Sequence, residues 1–190
     1  TVLAYILVFA GYMILPTITL YTKTVTGDSA QHFVGYQNSL RFGFKVVAGF
    51  LLGWLLTRTH PKAGPLVTTV LSLCGVLWAL LVPGRWFLLS FGLMGAGELF
   101  DAYFRNYIIC CSPRSQMRRN VAFLSLIGLP VGWAPYFFGR IADEVGAIYS
   151  EKIGFQAAFA VALSLLAGGL ILIFFLMPRH PRPRGPDEET

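Results

Sequence analysis

Six long apolar runs constrain this chain more than any other feature of its sequence. Each approaches the ~20 residues that a helix needs to cross about 30 Å of hydrocarbon. Their apolar residues lie on all sides of a helix, which is typical of membrane spans rather than of helices on a soluble core. Backbone groups in lipid must bond within their own segment, so each run is predicted to be helical. The runs cover about residues 2–21, 36–57, 64–83, 86–110, 119–141 and 155–177.

Composition agrees with an all-α, polytopic membrane protein built as a six-transmembrane-helix bundle. The 190 residues are 55% hydrophobic and 13% charged, whereas a soluble domain carries about 25% charged residues. The net charge is +6, but the cations lie mostly in short connections and form no contiguous basic stripe. The predicted surroundings are therefore a lipid bilayer, and nucleic acid is not expected as a partner.

The cations in the connections also predict the topology. Six spans place both ends on one side, and that side carries eight Lys or Arg residues against four on the other. The positive-inside rule then predicts that both ends are cytoplasmic. We expect a multi-pass protein of the cell (inner) membrane. Residues 1–177 form the predicted transmembrane domain, and the Pro-rich residues 178–190 a disordered cytoplasmic tail. Because the chain starts at Thr1 and not at Met, we expect it to be a piece of a longer protein.

Five charged residues interrupt two of the apolar runs. Arg41 and Lys45 share a face of the second span, and Glu98, Asp101 and Arg105 share a face of the fourth. Each charge costs about 2.5–3.5 kcal/mol at mid-bilayer, so these side chains should face protein or water. At 1.5 Å per residue, Lys45 and Glu98 lie roughly 14 and 18 Å below their helix starts, which predicts a contact between them.

So many ionisable groups favour a substrate or proton pathway over a network that only fixes helix packing. The predicted solute-binding residues are Arg41, Lys45, Asn38 and Glu98. Glu98 and Asp101 are the candidate proton carriers, since a buried carboxylate can exchange a proton.

Glycine and proline mark two of the spans. Gly49 and Gly53 are spaced for the close approach of another helix. Pro130 and Pro135 should kink the fifth span, because proline removes a backbone donor. Such a kink either serves as a hinge beside a substrate or is purely structural.

No enzyme signature is found in the sequence. No G-x-S-x-G, H-E-x-x-H or phosphate loop occurs, and none of the three histidines lies in an apolar run. Cys74, Cys110 and Cys111 lack the spacing of a metal site. We therefore predict no catalytic residue, no metal and no cofactor.

Two stretches resemble the major facilitator superfamily. The segment from Ser112 to Pro135 is similar to the connection between that family's tenth and eleventh helices and to the eleventh helix itself. Gly139-Arg-Ile-Ala-Asp-Glu-Val-Gly146 is similar to the exit from the eleventh helix, and Gly154–Phe159 to the start of the twelfth. With the six-span count, the resemblance points to the C-terminal six-helix half of such a transporter.

The resemblance implies a secondary transporter that moves a small polar or anionic solute by alternating access, with proton coupling as one mode. The missing partner would be an N-terminal six-helix half or a second copy of the chain. The first, second, fourth and fifth spans would line the cavity, with the third and sixth peripheral. The residues assigned to gating or packing are Arg105, Gly53, Arg58, Pro130, Pro135, Gly139 and Asp143.

One family motif is incomplete. The cytoplasmic signature falls on residues 53–62, where Gly53 and Arg58 match but Thr57 replaces an acid and His60 a glycine. Thr57 cannot carry the negative charge of a salt-bridge gate. A non-transporting scaffold or sensor with the same bundle remains the alternative function, and an intramembrane enzyme is a distant third.

Overall fold

The computed structural model describes residues 1–27 and 30–179, and these contain α-helices and one short 3-10 helix, Gly84–Leu88, but no strand. The nine α-helices of this part of the chain are α1 Val2–Tyr12, α2 Leu15–Thr26, α3 Ala30–Arg58, α4 Ala63–Leu81, α5 Leu89–Gly97, α6 Phe100–Cys111, α7 Met117–Val131, α8 Ala134–Ile148 and α9 Glu151–Leu176.

These helices form six segments long and apolar enough to cross a membrane, so the predicted all-α fold with six spans is confirmed. Some ends differ from the apolar runs. The fifth span continues to Ile148 instead of ending near 141, and the sixth begins at Glu151 instead of 155. Of the predicted tail, Pro178 and Arg179 are described, and the remainder, 180–190, lies outside the described residues.

Three of the six spans are interrupted near their middle. The first breaks at Met13–Ile14, the fourth at Glu98–Leu99 and the fifth at Gly132–Trp133. At each break a hydrogen bond to the third preceding residue replaces the α-helical bond: Ile14 to Gly11, Leu99 to Ala96 and Gly132 to Leu129. Only the fifth interruption was expected from the prolines. Such tightened turns within a helix often mark hinges.

Several glycines, because they lack a side chain, allow neighbouring helices to pack closely. A methyl group on Gly11 would collide with Leu166, and one on Gly169 with Val8, so α1 and α9 pack closely. At the hairpin between α8 and α9, Gly154 lies against the backbone carbonyl of Ala142. These contacts set the first, fifth and sixth spans against one another.

Helix α5 packs between α3 and α4 in the same way. A methyl group on Gly95 would collide with the backbone of Arg41 in α3, and one on Gly97 with Ser72 in α4. By contrast, no described atom lies within 4 Å of the position that a side chain would take at Gly49 or Gly53. This pair therefore contacts no helix of the described residues, and the helix contact expected there stays a prediction.

The end of α9 is held by two contacts near the membrane boundary. The buried Lys62 donates from Nζ to the carbonyl of Phe174 at 2.7 Å and lies 5.5 Å from the centre of that ring. The Tyr107 hydroxyl donates to the carbonyl of Pro178 at 3.0 Å. Burial lowers the pKa of the Lys62 ammonium, and the positive charge of Arg179 lowers it further.

Candidate functional site

A cavity of about 560 Å³ lies among the first, second, fourth and fifth spans. These are the four spans that the resemblance implies, and no described lining residue belongs to α4 or α9. The lining residues are Tyr5, Phe9, Tyr12, Met13, Lys45, Glu98, Leu99, Phe100, Asp101, Ala102, Arg105, Ser125, Gly128, Leu129 and Gly132.

The carboxylate of Glu98 is shared by two cations from the second span. Arg41 donates from Nε to Oε2 at 3.0 Å, and Lys45 Nζ lies 3.3 Å from Oε1. The predicted Lys45–Glu98 contact is thus confirmed, and Arg41 makes a contact that the depth estimate did not anticipate. Two positive charges against one negative charge leave the group with a net charge of +1 when all three are ionised.

Backbone geometry accounts for this arrangement. Arg41 and Lys45 lie one turn apart on α3 and therefore project from the same face. Glu98 occupies the break between α5 and α6, where the chain leaves regular helical geometry. Since Gly95 lets α5 contact the backbone of Arg41, Glu98 is brought within reach of both cations.

A second charged pair lies one turn further along the fourth span. Arg105 donates from Nε to Asp101 Oδ2 at 3.0 Å, and the Tyr5 hydroxyl donates to Oδ1 at 2.9 Å. Arg105 also donates from Nη1 to the Ser125 hydroxyl at 3.1 Å. This network joins α1, α6 and α7, and its two charges balance.

Aromatic rings form another wall of the cavity. The Phe100 ring lies 5.8 Å from that of Phe9, 6.0 Å from that of Tyr5 and 5.3 Å from that of Tyr12, measured between centres. The Tyr12 hydroxyl is buried and forms no hydrogen bond of regular geometry among the described residues, although it interacts electrostatically with Glu98 and Arg41. The cavity therefore combines charged groups, a buried tyrosine hydroxyl and an apolar surface.

The charged side chains are sheltered without being sealed. Arg41, Lys45, Glu98, Asp101 and Arg105 keep between 25% and 41% of their side-chain surface exposed. All but Arg41 line the cavity, so a solute that entered it would meet both signs of charge. Ion pairs that are this accessible can exchange partners more readily than fully buried ones.

Three further predicted site residues, Asn38, Pro130 and Pro135, do not themselves line the cavity. Asn38 is exposed on α3 and is not one of the described lining residues. Pro130 and Pro135 flank the break between α7 and α8, next to the lining residue Gly132.

The structure does not bring the remaining predicted residues to the cavity. Arg58 ends α3, with its guanidinium 5.1 Å from the centre of the Trp54 ring. Gly139 and Asp143 belong to α8, and neither is a described lining residue. Gly53 is likewise outside the lining.

Sequence reasoning missed the contributions of Tyr5, Tyr12 and Ser125. A signal for the tyrosines was present, because residues seven apart share a helix face over two turns. The residues that these tyrosines contact could not be predicted, because the contacts depend on how α1 packs against the fourth span. Among the described residues, no group of three His, Cys, Asp or Glu side chains could hold a metal ion.

Six apolar spans around a cavity lined by opposite charges define a multi-pass membrane protein with an internal polar site. The chain belongs to the Major Facilitator Superfamily, whose family model matches residues 1–190, and the superfamily consists of membrane transporters. No curated protein and no solved structure matches the chain significantly.

Proposed function

We propose that this chain forms the C-terminal six-helix half of a secondary transporter that moves a small polar or anionic solute by alternating access. The observation that carries the proposal is the group in which Arg41 and Lys45 share the single carboxylate of Glu98 beside the cavity. Its net positive charge favours an anion, and the aromatic wall formed by Phe9 and Phe100 favours one with an apolar body.

In this proposal Arg41, Lys45 and Asn38 bind the anionic group of the solute, and Glu98, the fourth predicted residue of the binding site, controls access to the two cations. An anionic group on the solute competes with Glu98 for the two cations, so Glu98 occupies the binding position when the solute is absent. Asn38 lies on the same face of α3, three residues before Arg41, and can meet the solute as it enters.

Glu98 and Asp101 are the proposed proton carriers. Protonation of Glu98 removes the negative charge that holds Arg41 and Lys45, which frees both cations for the solute. Asp101 accepts hydrogen bonds from Tyr5 and Arg105, so its protonation weakens the link between the first and fourth spans. Either event couples a proton to the shape of the cavity.

Alternating access requires elements that move, and we assign gating or packing roles to a second set of residues. The prolines flank the break in the fifth span, and Arg105 ties the fourth span to the fifth through Ser125. The full set is Arg105, Gly53, Arg58, Pro130, Pro135, Gly139 and Asp143.

We place the protein in the cell (inner) membrane with both ends cytoplasmic. Residues 1–177 then form the transmembrane domain, which pairs with an N-terminal six-helix half or with a second copy. The excess of cations on one side supports this orientation.

Uptake into proteoliposomes tests the function. Radiolabelled benzoate and inorganic phosphate serve as probes of an aromatic and a purely polar anion. We expect Lys45→Gln and Glu98→Gln to abolish uptake while leaving expression intact, because Lys45→Gln removes a cation that binds the solute and Glu98→Gln removes a proposed proton carrier. Glu144→Gln is the matched control, since it breaks the exposed Arg140–Glu144 pair away from the cavity.

Undiminished uptake in both cavity variants would remove these residues from the mechanism. Absence of flux and of any solute-dependent thermal shift in the wild type would favour a scaffold or sensor.

A further inference from the structure

A second concavity lies along α3 and shares no lining residue with the charged cavity. This groove, of about 500 Å³, is bounded by α3, α4 and α5, and every residue that lines it is apolar. Its lining residues are Phe44, Val47, Ala48, Leu51, Leu52, Trp54, Leu55, Val67, Leu71, Leu93 and Ala96. Val47, Leu51 and Trp54 each keep about 60% of their surface exposed, so the groove opens outward.

The two faces of α3 have different chemistry. At about 100° per residue, Val47, Leu51 and Trp54 project nearly opposite to Lys45 and Gly49. The exposed residues of the groove therefore lie on the opposite face of the helix from Lys45, while the buried Ala48 and Leu52 form the floor between the two faces. An occupant of the groove does not contact Glu98, so its identity is independent of the proposed transport.

The groove has the length of one membrane leaflet. From Phe44 to Leu55 the helix rises roughly 17 Å, which is about half of the ~30 Å hydrocarbon thickness. The groove starts near mid-membrane and ends one turn before the end of α3 at Arg58. This shape matches an extended acyl chain.

A cation stands where the head group of such a lipid would lie. Arg58 follows Trp54 by four residues and Leu51 by seven, so it extends the same face beyond the apolar lining. Its guanidinium lies 5.1 Å from the centre of the Trp54 ring, which holds it at the rim. It is exposed, and no carboxylate among the described residues forms an ion pair with it.

We propose that this groove is a binding site for an anionic phospholipid, with one acyl chain along α3 and the phosphate on Arg58. Apolar lining over the length of one leaflet, followed by an unpaired cation, complements both parts of such a lipid. A polypeptide segment in the groove would leave the cation without a negative partner.

Photo-cross-linking identifies the occupant. Benzoylphenylalanine replaces Leu51 in the full-length protein, which is reconstituted in phosphatidylglycerol mixed with an equal amount of phosphatidylcholine. Mass spectrometry of the adduct should show phosphatidylglycerol well above its share of the bilayer. A polypeptide adduct, or the two lipids captured in equal amounts, overturns the proposal.

Variants separate the acyl-chain part from the head-group part. Arg58→Gln should lower the capture of phosphatidylglycerol by about fivefold, the factor that one interfacial cation contributes. Val47→Trp fills the groove and should lower the capture of both lipids. The controls are Arg118→Gln, an exposed cation at the start of α7, and Val46→Trp, an equally exposed position beside Lys45.

Both controls should retain the wild-type pattern. An equal loss in Arg58→Gln and Arg118→Gln would show general surface attraction and overturn the assignment to Arg58. Unchanged capture in Val47→Trp would show that the lipid does not occupy the groove.

Discussion

Glu98 holds two cations, and the three side chains are not interchangeable. Removal of Glu98 leaves Arg41 and Lys45 as neighbouring positive charges, whereas removal of either cation still leaves one ion pair. Stranding a sheltered charge is the costly event in such networks. The cost should therefore depend on which partner is removed first.

A double-mutant cycle on Arg41 and Glu98 measures this dependence. We expect the double variant Arg41→Gln/Glu98→Gln to lose less stability than the two single losses added together, with a coupling of about 1–2 kcal/mol. Denaturant unfolding of the purified protein gives each free energy. Additive losses would show that the 3.0 Å contact contributes nothing to stability.

The two tyrosines of α1 provide a matched comparison. Tyr5→Phe removes the hydroxyl that donates to Asp101, a hydrogen bond to a charged group worth about 1.5–3 kcal/mol. Tyr12→Phe removes a hydroxyl that forms no hydrogen bond of regular geometry and interacts only electrostatically with Glu98 and Arg41, so its loss of unfolding free energy should be smaller than that of Tyr5→Phe. Unfolding of both variants in the same detergent checks the difference, and equal losses would contradict it.

The sequence predicts part of this site. The Lys45–Glu98 contact follows from charge, helix face and depth along two spans that run in the same direction. The part played by Tyr5 could not be predicted, because a tyrosine in an apolar run has many possible partners. Its contact with Asp101 exists only once α1 is placed beside α6.

At the scale of helices, the packing of α5 depends on the absence of a side chain at Gly95. A methyl group there would collide with the Arg41 backbone, while the position at Gly43 faces open space. Gly95→Ala should destabilise the fold by about 1–3 kcal/mol through overpacking. Gly43→Ala should stabilise it by up to about 1 kcal/mol, because alanine favours helix over glycine. Thermal unfolding reports both signs, and a gain in both variants would contradict the tight α3–α5 contact.

Lys62 links the connection before α4 to the end of α9. The folded protein holds the Lys62 proton less tightly than the unfolded chain, because burial lowers the pKa of this ammonium from 10.5. Stability from this group should therefore rise with pH between the lowered pKa and 10.5. The unfolding free energy of the wild type minus that of Lys62→Met should therefore increase over that range. A constant difference would contradict the expectation.

The elements were more predictable than their interruptions. Apolar length predicts the spans, because lipid leaves helix as the only option for a single crossing segment. Pro130 and Pro135 predict the break in the fifth span, but no proline predicts the break at Glu98 in the fourth span. The helix contact expected at Gly49 and Gly53 is not made within the described residues, because close approach requires a neighbouring helix, which their spacing alone does not supply.

At the scale of the whole molecule, the second and fifth spans are the least covered. Only 11% and 17% of their most apolar stretches are buried, against 50% in the first span and 56% in the fourth. The fifth span and the face of the second span around Val46 and Phe50 present the uncovered surface for the proposed N-terminal half or second copy, while the groove face at Leu51 and Trp54 is left for the proposed lipid. Covering the partner surface would also close one side of the charged cavity, since Lys45 and Leu129 both line it.

Cross-linking tests that partner surface. Benzoylphenylalanine at Phe50 or Leu129 should capture polypeptide in the full-length protein, because these exposed side chains lie on the two uncovered spans. The same reagent at Phe175, an exposed residue of α9, should capture lipid. Gel mobility and mass spectrometry identify each adduct, and lipid at all three positions would remove the surface from consideration.

The breaks at Met13–Ile14, Glu98–Leu99 and Gly132–Trp133 all touch the cavity, whereas α3, α4 and α9 run without interruption. Three spans of the bundle are thus continuous helices and three are interrupted, and the interruptions surround the same volume. We expect a molecule that fills this volume to bend the three interrupted spans relative to the three continuous ones. Part of the proposed alternating-access cycle would then occur within the six-helix unit. The unit would not move only as a rigid body.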